Sequence, residues 1–225
     1  MAGGIWLDIL LPFRLLRSNR NLRNLWLGET ISYFGDNFYS IAIMWYVFQL
    51  TGSGLQMGLV LVSSFVPQVV AGPLLGTLSD RWNRKAMMRS ASVIQALLTG
   101  LLASLIYARA ADMPLIYVIT IALSVVELAY RPARAGMFPD LVDAADLMAG
   151  NALFSTSQQV ARIVGSSLGG LFVAFAGVST AVGFDAITFL ASAAFLQWVV
   201  HTPVRAVESE PQGQRSSFVA ELHGG

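Results

Sequence analysis

Six times between residues 25 and 200 the chain runs through a long apolar stretch, at about 25–48, 55–78, 87–108, 114–136, 152–176 and 179–200. A helix needs ~20 residues to cross a hydrocarbon core of ~30 Å, and each stretch supplies them. Hydrophobic residues make up 55% of the chain and charged residues only 12%. Soluble domains carry about 25% charged residues, so this chain has too little charge to clothe a water-soluble fold of its length. The stretches are too long and too little alternating to be barrel strands. The sequence therefore predicts an all-α membrane protein with six transmembrane helices, whose first partner is the lipid bilayer.

The connections are short: "LTGSG", "SDRWNRK", "ARAADMP" and "AGVST". Only "RPARAGMFPDLVDAADLMAGN", between spans four and five, has room for a small helix, with Asp143 or Asp146 placed to cap span five. Lys and Arg are distributed unequally. Arg14, Arg17, Arg20 and Arg23 precede span one, and Arg81, Arg84, Lys85 and Arg89 follow span two. Arg131 and Arg134 follow span four, and Arg205 and Arg215 follow span six. The other side holds Arg109 alone, so the positive-inside rule puts both termini in the cytoplasm of a plasma (inner) membrane. Residues 1–24 then form a basic cytoplasmic segment suited to anionic headgroups rather than to nucleic acid. Span one is too long and too polar to be a cleaved signal sequence. Residues 201–225 read as a cytoplasmic linker, in which "SSFVAEL" begins a helix, capped by Ser216 or Ser217, that the chain leaves unfinished.

The most polar interruption is "GTLSDRWNRK", residues 76–85, placed by this topology in the cytoplasmic turn between spans two and three. Gly76 permits close helix approach, Asp80 can face a helix N-terminus, and Arg84 can pair with an acid on an adjacent span. The decapeptide resembles the G-x-L-[AS]-D-R-x-[GN]-R-[KR] signature of the major facilitator superfamily. It matches at Gly76, Leu78, Ser79, Asp80, Arg81, Asn83, Arg84 and Lys85. "RPARAGMFPDLV", "NALFSTSQQVARIVGSSLGG" and "FDAITFLASAAF" are similar to the drug and siderophore efflux branch that includes the enterobactin exporter. The resemblance runs from about residue 13 to 200. It implies one six-helix half of a twelve-helix transporter, and a conformational switch at Gly76, Asp80, Arg81, Arg84 and Lys85. A faint repeat, "GPLLG" at 72–76 and "GSSLG" at 165–169, fits two inverted three-helix repeats. Exporters of this family often carry a helix-five proline where this chain has Ser166.

Charged residues within spans are costly and usually face a cavity or a partner. Asp36 falls near the middle of span one in "YFGDNFY", and the resemblance places such an acid in a central cavity for substrate or proton; a hydrogen bond to span five is the structural alternative. Tyr33 and Tyr39 are candidates to line the same cavity. Glu127 and Arg162 lie at comparable depths on spans four and five, either as an ion pair or as part of the pathway. Glu29 is expected to snorkel to the interface, and Asp185 to accept a packing hydrogen bond. Gly72, Gly165, Gly169 and Gly170 are candidates for close helix packing.

With no Cys, and His201 and His223 as the only histidines, no metal site and no cofactor are expected. No hydrolase or metalloprotease motif is present, so an enzyme is not expected either. The favoured reading is the N-terminal half of a secondary transporter, a proton-coupled exporter of small amphipathic molecules. The alternative is a non-transporting half that serves as a partner subunit or an inert fragment. A second six-helix half, downstream or another copy, is the expected partner in the first reading. Because the chain lacks cysteine, the orientation is directly testable. Cysteines introduced at Ser53 and Ser179 should react with an impermeant thiol reagent from outside, and those at Ser79 and Ser217 only after permeabilisation.

Overall fold

The computed structural model describes residues 14–76 and 83–200, with side chains for 14–70 and 83–200. Six long helices follow one another: α1 Arg20–Thr51, α2 Gly54–Gly76, α3 Arg84–Tyr107, α4 Met113–Leu141, α5 Leu147–Ala176 and α6 Val178–Gln197. No strand occurs among the described residues. Asp80, Arg81 and the linker with Ser216 and Ser217 lie outside them. Gly72 and Gly76 lie in the part of α2 described by backbone alone.

Local chemistry explains where the helices begin and end. Asn19, Asn83 and Asp112 cap α1, α3 and α4 through side-chain oxygens that accept from Leu22, Ala86 and Leu115 N–H. Gly52, at φ 64°, ends α1 in the left-handed region where glycine carries no Cβ penalty. The sequence expects α4 to stop near residue 136; instead it continues through Pro132 and Pro139 to Leu141. A buried membrane helix tolerates such prolines because neighbours satisfy the freed carbonyls. The space expected for a small extra helix holds only a 3-10 turn, Ala144–Asp146, and neither Asp143 nor Asp146 makes a side-chain cap.

By length and composition, four of the described helices can cross a membrane: α3, α4, α5 with the turn before it, and α6. The expected six are not all met by that measure. α1 is long enough, but Asn24, Glu29, Asp36 and Asn37 interrupt its apolar run, and the apolar part described for α2 is Gly54–Val70.

α6 is the hub, packing against α1 on one side and α3 on the other. α5 leans on α1, and α2 on α4. Exchanging α1 with α4, α2 with α5 and α3 with α6 maps the α1/α6 packing onto α4/α3, and α1/α5 onto α4/α2. Two apolar clusters occupy opposite ends of the bundle. One gathers Leu22, Leu25, Met88, Met137, Phe154 and Leu196; the other gathers Ile43, Val47, Leu102, Ile116, Val173 and Val182. The first end is tied by Asn21 Nδ2 to Val200 O at 3.0 Å and by Lys85 Nζ to Gln197 O at 2.9 Å. The polar residues of the sequence's interrupted stretches lie in the layer between.

Glycines set the depth of these contacts. A Cβ at Gly28 would stand 3.2 Å from Phe195 Cβ and 3.3 Å from Ser192 Cα on α6. Gly165 and Gly169 bring α5 against Asn37 and Phe38 of α1, whereas Gly170 meets nothing within 4 Å and takes no part in that contact. Gly169→Leu should therefore destabilise the chain by about 1–3 kcal/mol through overpacking. Gly170→Leu should change stability by no more than about 0.5 kcal/mol. Thermal unfolding of both variants in detergent micelles separates the two adjacent positions.

Candidate functional site

Between the two apolar clusters the helices enclose polar space in two adjoining cavities. The larger, about 340 Å³, is bordered by α1, α3, α4, α5 and α6, with Glu29, Tyr33, Asp36, Glu127, Arg131 and Arg134 among its walls. The smaller, about 230 Å³, lies between α1, α2, α3, α4 and α6 and takes in Tyr39, Gln68, Thr120, Ser124 and Asp185. Asp36, Gln95, Glu127, Arg131 and Phe189 border both. They form one shared wall.

Glu29 anchors the larger cavity. Expected at the interface, it is instead 2% exposed, because Arg134 on α4 reaches it. Arg134 Nε donates to Oε1 and Oε2 at 2.7 and 2.8 Å. The hydroxyls of Tyr33 and Tyr130 donate to Oε2 and Oε1, each at 3.2 Å. The Arg134 guanidinium also lies over Phe154, 4.7 Å from its ring centroid, and 6.0 Å from that of Phe138. Charge, hydrogen bonds and ring faces together offset the desolvation of the buried pair. Sequence spacing gives no warning of a partner 105 residues away; the readable signal is an intramembrane acid in a chain that carries an arginine just beyond Pro132.

Glu127 and Arg162 are not brought together. Glu127 accepts from Arg131 Nε at 2.9 Å, one turn along α4, and from Gln95 Nε2 at 3.2 Å on α3. Arg162 is exposed on α5, where its guanidinium donates to Gln159. Two of the twelve basic residues assigned to one side, Arg131 and Arg134, thus lie inside α4 and line the cavity. The asymmetry against Arg109 remains, ten to one.

Asp36 sits at the junction of the two cavities. Among the described residues, no side chain donates to its carboxylate, and the hydrogen bond from α5 reaches its neighbour instead: Ser166 Oγ donates to Asn37 Oδ1 at 3.3 Å. Asp185 is 1% exposed and accepts from Thr188 Oγ1 of its own helix at 3.2 Å. It also borders the smaller cavity, a placement the expectation of simple packing did not include. Tyr33 and Tyr39 both line cavities, one in each. At the end of the bundle, Arg84 Nη1 donates to Asp140 Oδ2 at 2.9 Å and to Gly136 O at 2.7 Å, joining α3 to α4. Lys85 joins α3 to α6 there.

Among the described residues, no three His, Cys, Asp or Glu are placed to hold a metal ion. The arrangement is instead a polar, charged recess flanked by apolar packing, able to receive a polar or ionised group at mid-helix depth. Arg134→Gln should cost about 3–5 kcal/mol by leaving the Glu29 carboxylate buried and unpaired. The double variant Glu29→Gln/Arg134→Gln should regain most of that loss. A double-mutant cycle of thermal unfolding measures the difference.

Residues 25–222 match the family model of the Major Facilitator Superfamily. The chain is similar to YfiS of Bacillus subtilis (strain 168), an uncharacterized MFS-type transporter by name, at 26% identity over 211 residues, 93% of this chain and 49% of the relative. It is similar to YvqJ of the same organism, of the same designation, at 22% over 207 residues, 92% of this chain and 49% of the relative. With macrolide efflux protein A of Streptococcus pyogenes it shares 23% over 163 residues, 72% of this chain and 40% of the relative. The chain spans about half the length of the curated relatives it matches. No solved structure matches it significantly.

Proposed function

The chain belongs to the Major Facilitator Superfamily, and we propose that it is the N-terminal half of a proton-coupled exporter of small amphipathic molecules. The observation that carries this reading is the polar recess at mid-helix depth, with Asp36 at the junction of its two cavities and no side chain donating to its carboxylate among the described residues. A proton or a substrate group can therefore reach Asp36 without first breaking an ion pair. Tyr33, Tyr39 and Phe189 supply aromatic surface beside it for an amphipathic solute. Efflux as the direction is drawn from the name of the relative macrolide efflux protein A.

In this proposal α1–α3 and α4–α6 are inverted repeats, supported by packing pairs that map onto one another under their exchange. The protein lies in the plasma (inner) membrane with both termini cytoplasmic, supported by the Lys/Arg asymmetry. Asp80, Arg81 and Gly76 belong with Arg84 and Lys85 to a conformational latch, supported by the Arg84–Asp140 bridge. Alternating access requires a second six-helix half. Its place is supported by α2 and α5, which expose Phe65, Val69, Ile163, Leu171 and Phe175 on faces away from the bundle. Arg162, exposed among them and bonded to Gln159, offers a charge for an acid on that half.

In the full-length context, Asp36→Asn should abolish proton-driven efflux, while binding of a neutral substrate stays within a few-fold. Proteoliposomes with an imposed proton gradient test it, and undiminished gradient-driven flux through the variant overturns the assignment. Residues 1–225 alone in the same liposomes should show no flux. Robust flux there would establish a transporter built from copies of this half.

A further inference from the structure

Summing the charges across the recess leaves a residue. Glu29 is matched by Arg134, and Glu127 by Arg131. Asp36 and Asp185 remain, both on the wall of the smaller cavity, and neither makes a salt bridge among the described residues; Arg131, committed to Glu127, attracts Asp36 from a greater distance. They are close. A Cβ built at Gly35 would collide with Asp185 Oδ1 and Thr188 Oγ1, so the Asp185 carboxylate presses on the residue next to Asp36, and the two acids interact electrostatically. Gly35 is what lets α6 bring its acid so near α1. Any larger residue would hold the two apart.

The same wall carries a second, independent feature. Thr120 is 6% exposed, and its hydroxyl has no hydrogen-bond partner. The Tyr39 hydroxyl on the same wall is likewise buried and makes no hydrogen bond of good geometry, although it stands close enough to Thr120 for the two to interact. Buried hydroxyls are nearly always bonded, so two left open on one cavity wall mark a place where something else supplies the bonds. Two carboxylates side by side in a low-dielectric site call for one positive charge between them. Two carboxylates do not make a metal cage, whereas an ammonium group with several N–H donors suits two acids and two hydroxyl oxygens.

We propose that Asp36 and Asp185 together form an ammonium-binding subsite, in which the protonated primary amine of a substrate donates to both carboxylates and to the hydroxyls of Tyr39 and Thr120. Phe189, on the same wall, packs against the apolar part of the molecule. This rests on the transport reading above and narrows it to amine-bearing amphiphiles. It also gives Asp185 a ligand-contacting role equal to that of Asp36.

Equilibrium binding to residues 1–225 in lipid nanodiscs tests the subsite without any flux measurement. Three probes of one shape are compared: 2-phenylethylammonium, its N,N,N-trimethyl analogue, and the neutral 2-phenylethanol. The primary ammonium should bind most tightly. Asp185→Asn and Thr120→Val should each weaken it by about tenfold or more, as expected for hydrogen bonds to charged groups. Neither substitution should shift 2-phenylethanol by more than about twofold, and Thr120→Val should leave the trimethyl analogue unchanged because it has no N–H to donate. Thr120→Val keeps every charge in place and so remains informative if Asp185→Asn fails to fold. No ammonium binding, or equal losses for all three probes, overturns the subsite. Intact ammonium binding in a full-length protein that moves nothing would overturn the transport reading and leave the subsite standing.

Discussion

A carboxylate with 2% exposure inside a helix bundle must be answered from another helix, and much of this structure follows from how Glu29 is answered. Arg134 can reach it only because α4 does not stop at its first internal proline. Once the pair forms, Tyr33, Tyr130, Phe138 and Phe154 are drawn around it, holding α1, α4 and α5 at one height. An unpaired charge there would cost several kcal/mol, a large fraction of the ~5–15 kcal/mol by which folded proteins are stable. The ion pair therefore fixes a register as well as joining two helices.

The bundle is layered as a result. Apolar residues collect in two clusters toward its ends, and charged and hydroxyl side chains fill the middle. In a soluble protein such a core would be inverted, but here lipid surrounds the outside and the polar layer encloses its own water-accessible space. α6 makes this possible. It packs between α1 and α3 while presenting Asp185, Thr188 and Ser192 inward, and glycines on α1 at positions 28 and 35 allow its backbone and its acid to approach.

Much of this was legible along the chain. Runs of apolar residues set the helices, and Asp36 stood out as an acid far from either end of its helix, whereas the caps at Asn19, Asn83 and Asp112 came from the structure and the cap expected at Asp143 or Asp146 is not made. The possibility that Arg84 would find an acid on a neighbouring helix was also readable from its place at the start of α3. What was not legible were the partners of the other charges. Glu127 and Arg162 share a depth but not a face, so depth alone could not tell the ion pair, which does not form, from the cavity lining that Glu127 provides. Glu29 looked interfacial because its distance along the helix says nothing of the arginine across from it. Gly169 and Gly170 read alike, and only the direction of each Cβ vector tells the packed one from the open one.

The sequence by itself determined the solvent this protein requires, the helical class, the family, and the presence of more buried charge than a bilayer tolerates unpaired. Those properties are sums over local composition, and local composition is written in order along the chain. Which acid meets which arginine, and which two acids are left beside each other without a salt bridge, was decided by the tertiary structure. Pairing depends on the rotation of each helix about its own axis, and at 3.6 residues per turn a difference of one residue turns a side chain by about 100 degrees. Contacts between helices set that rotation, through a glycine that admits a neighbour or a buried charge that draws its partner in.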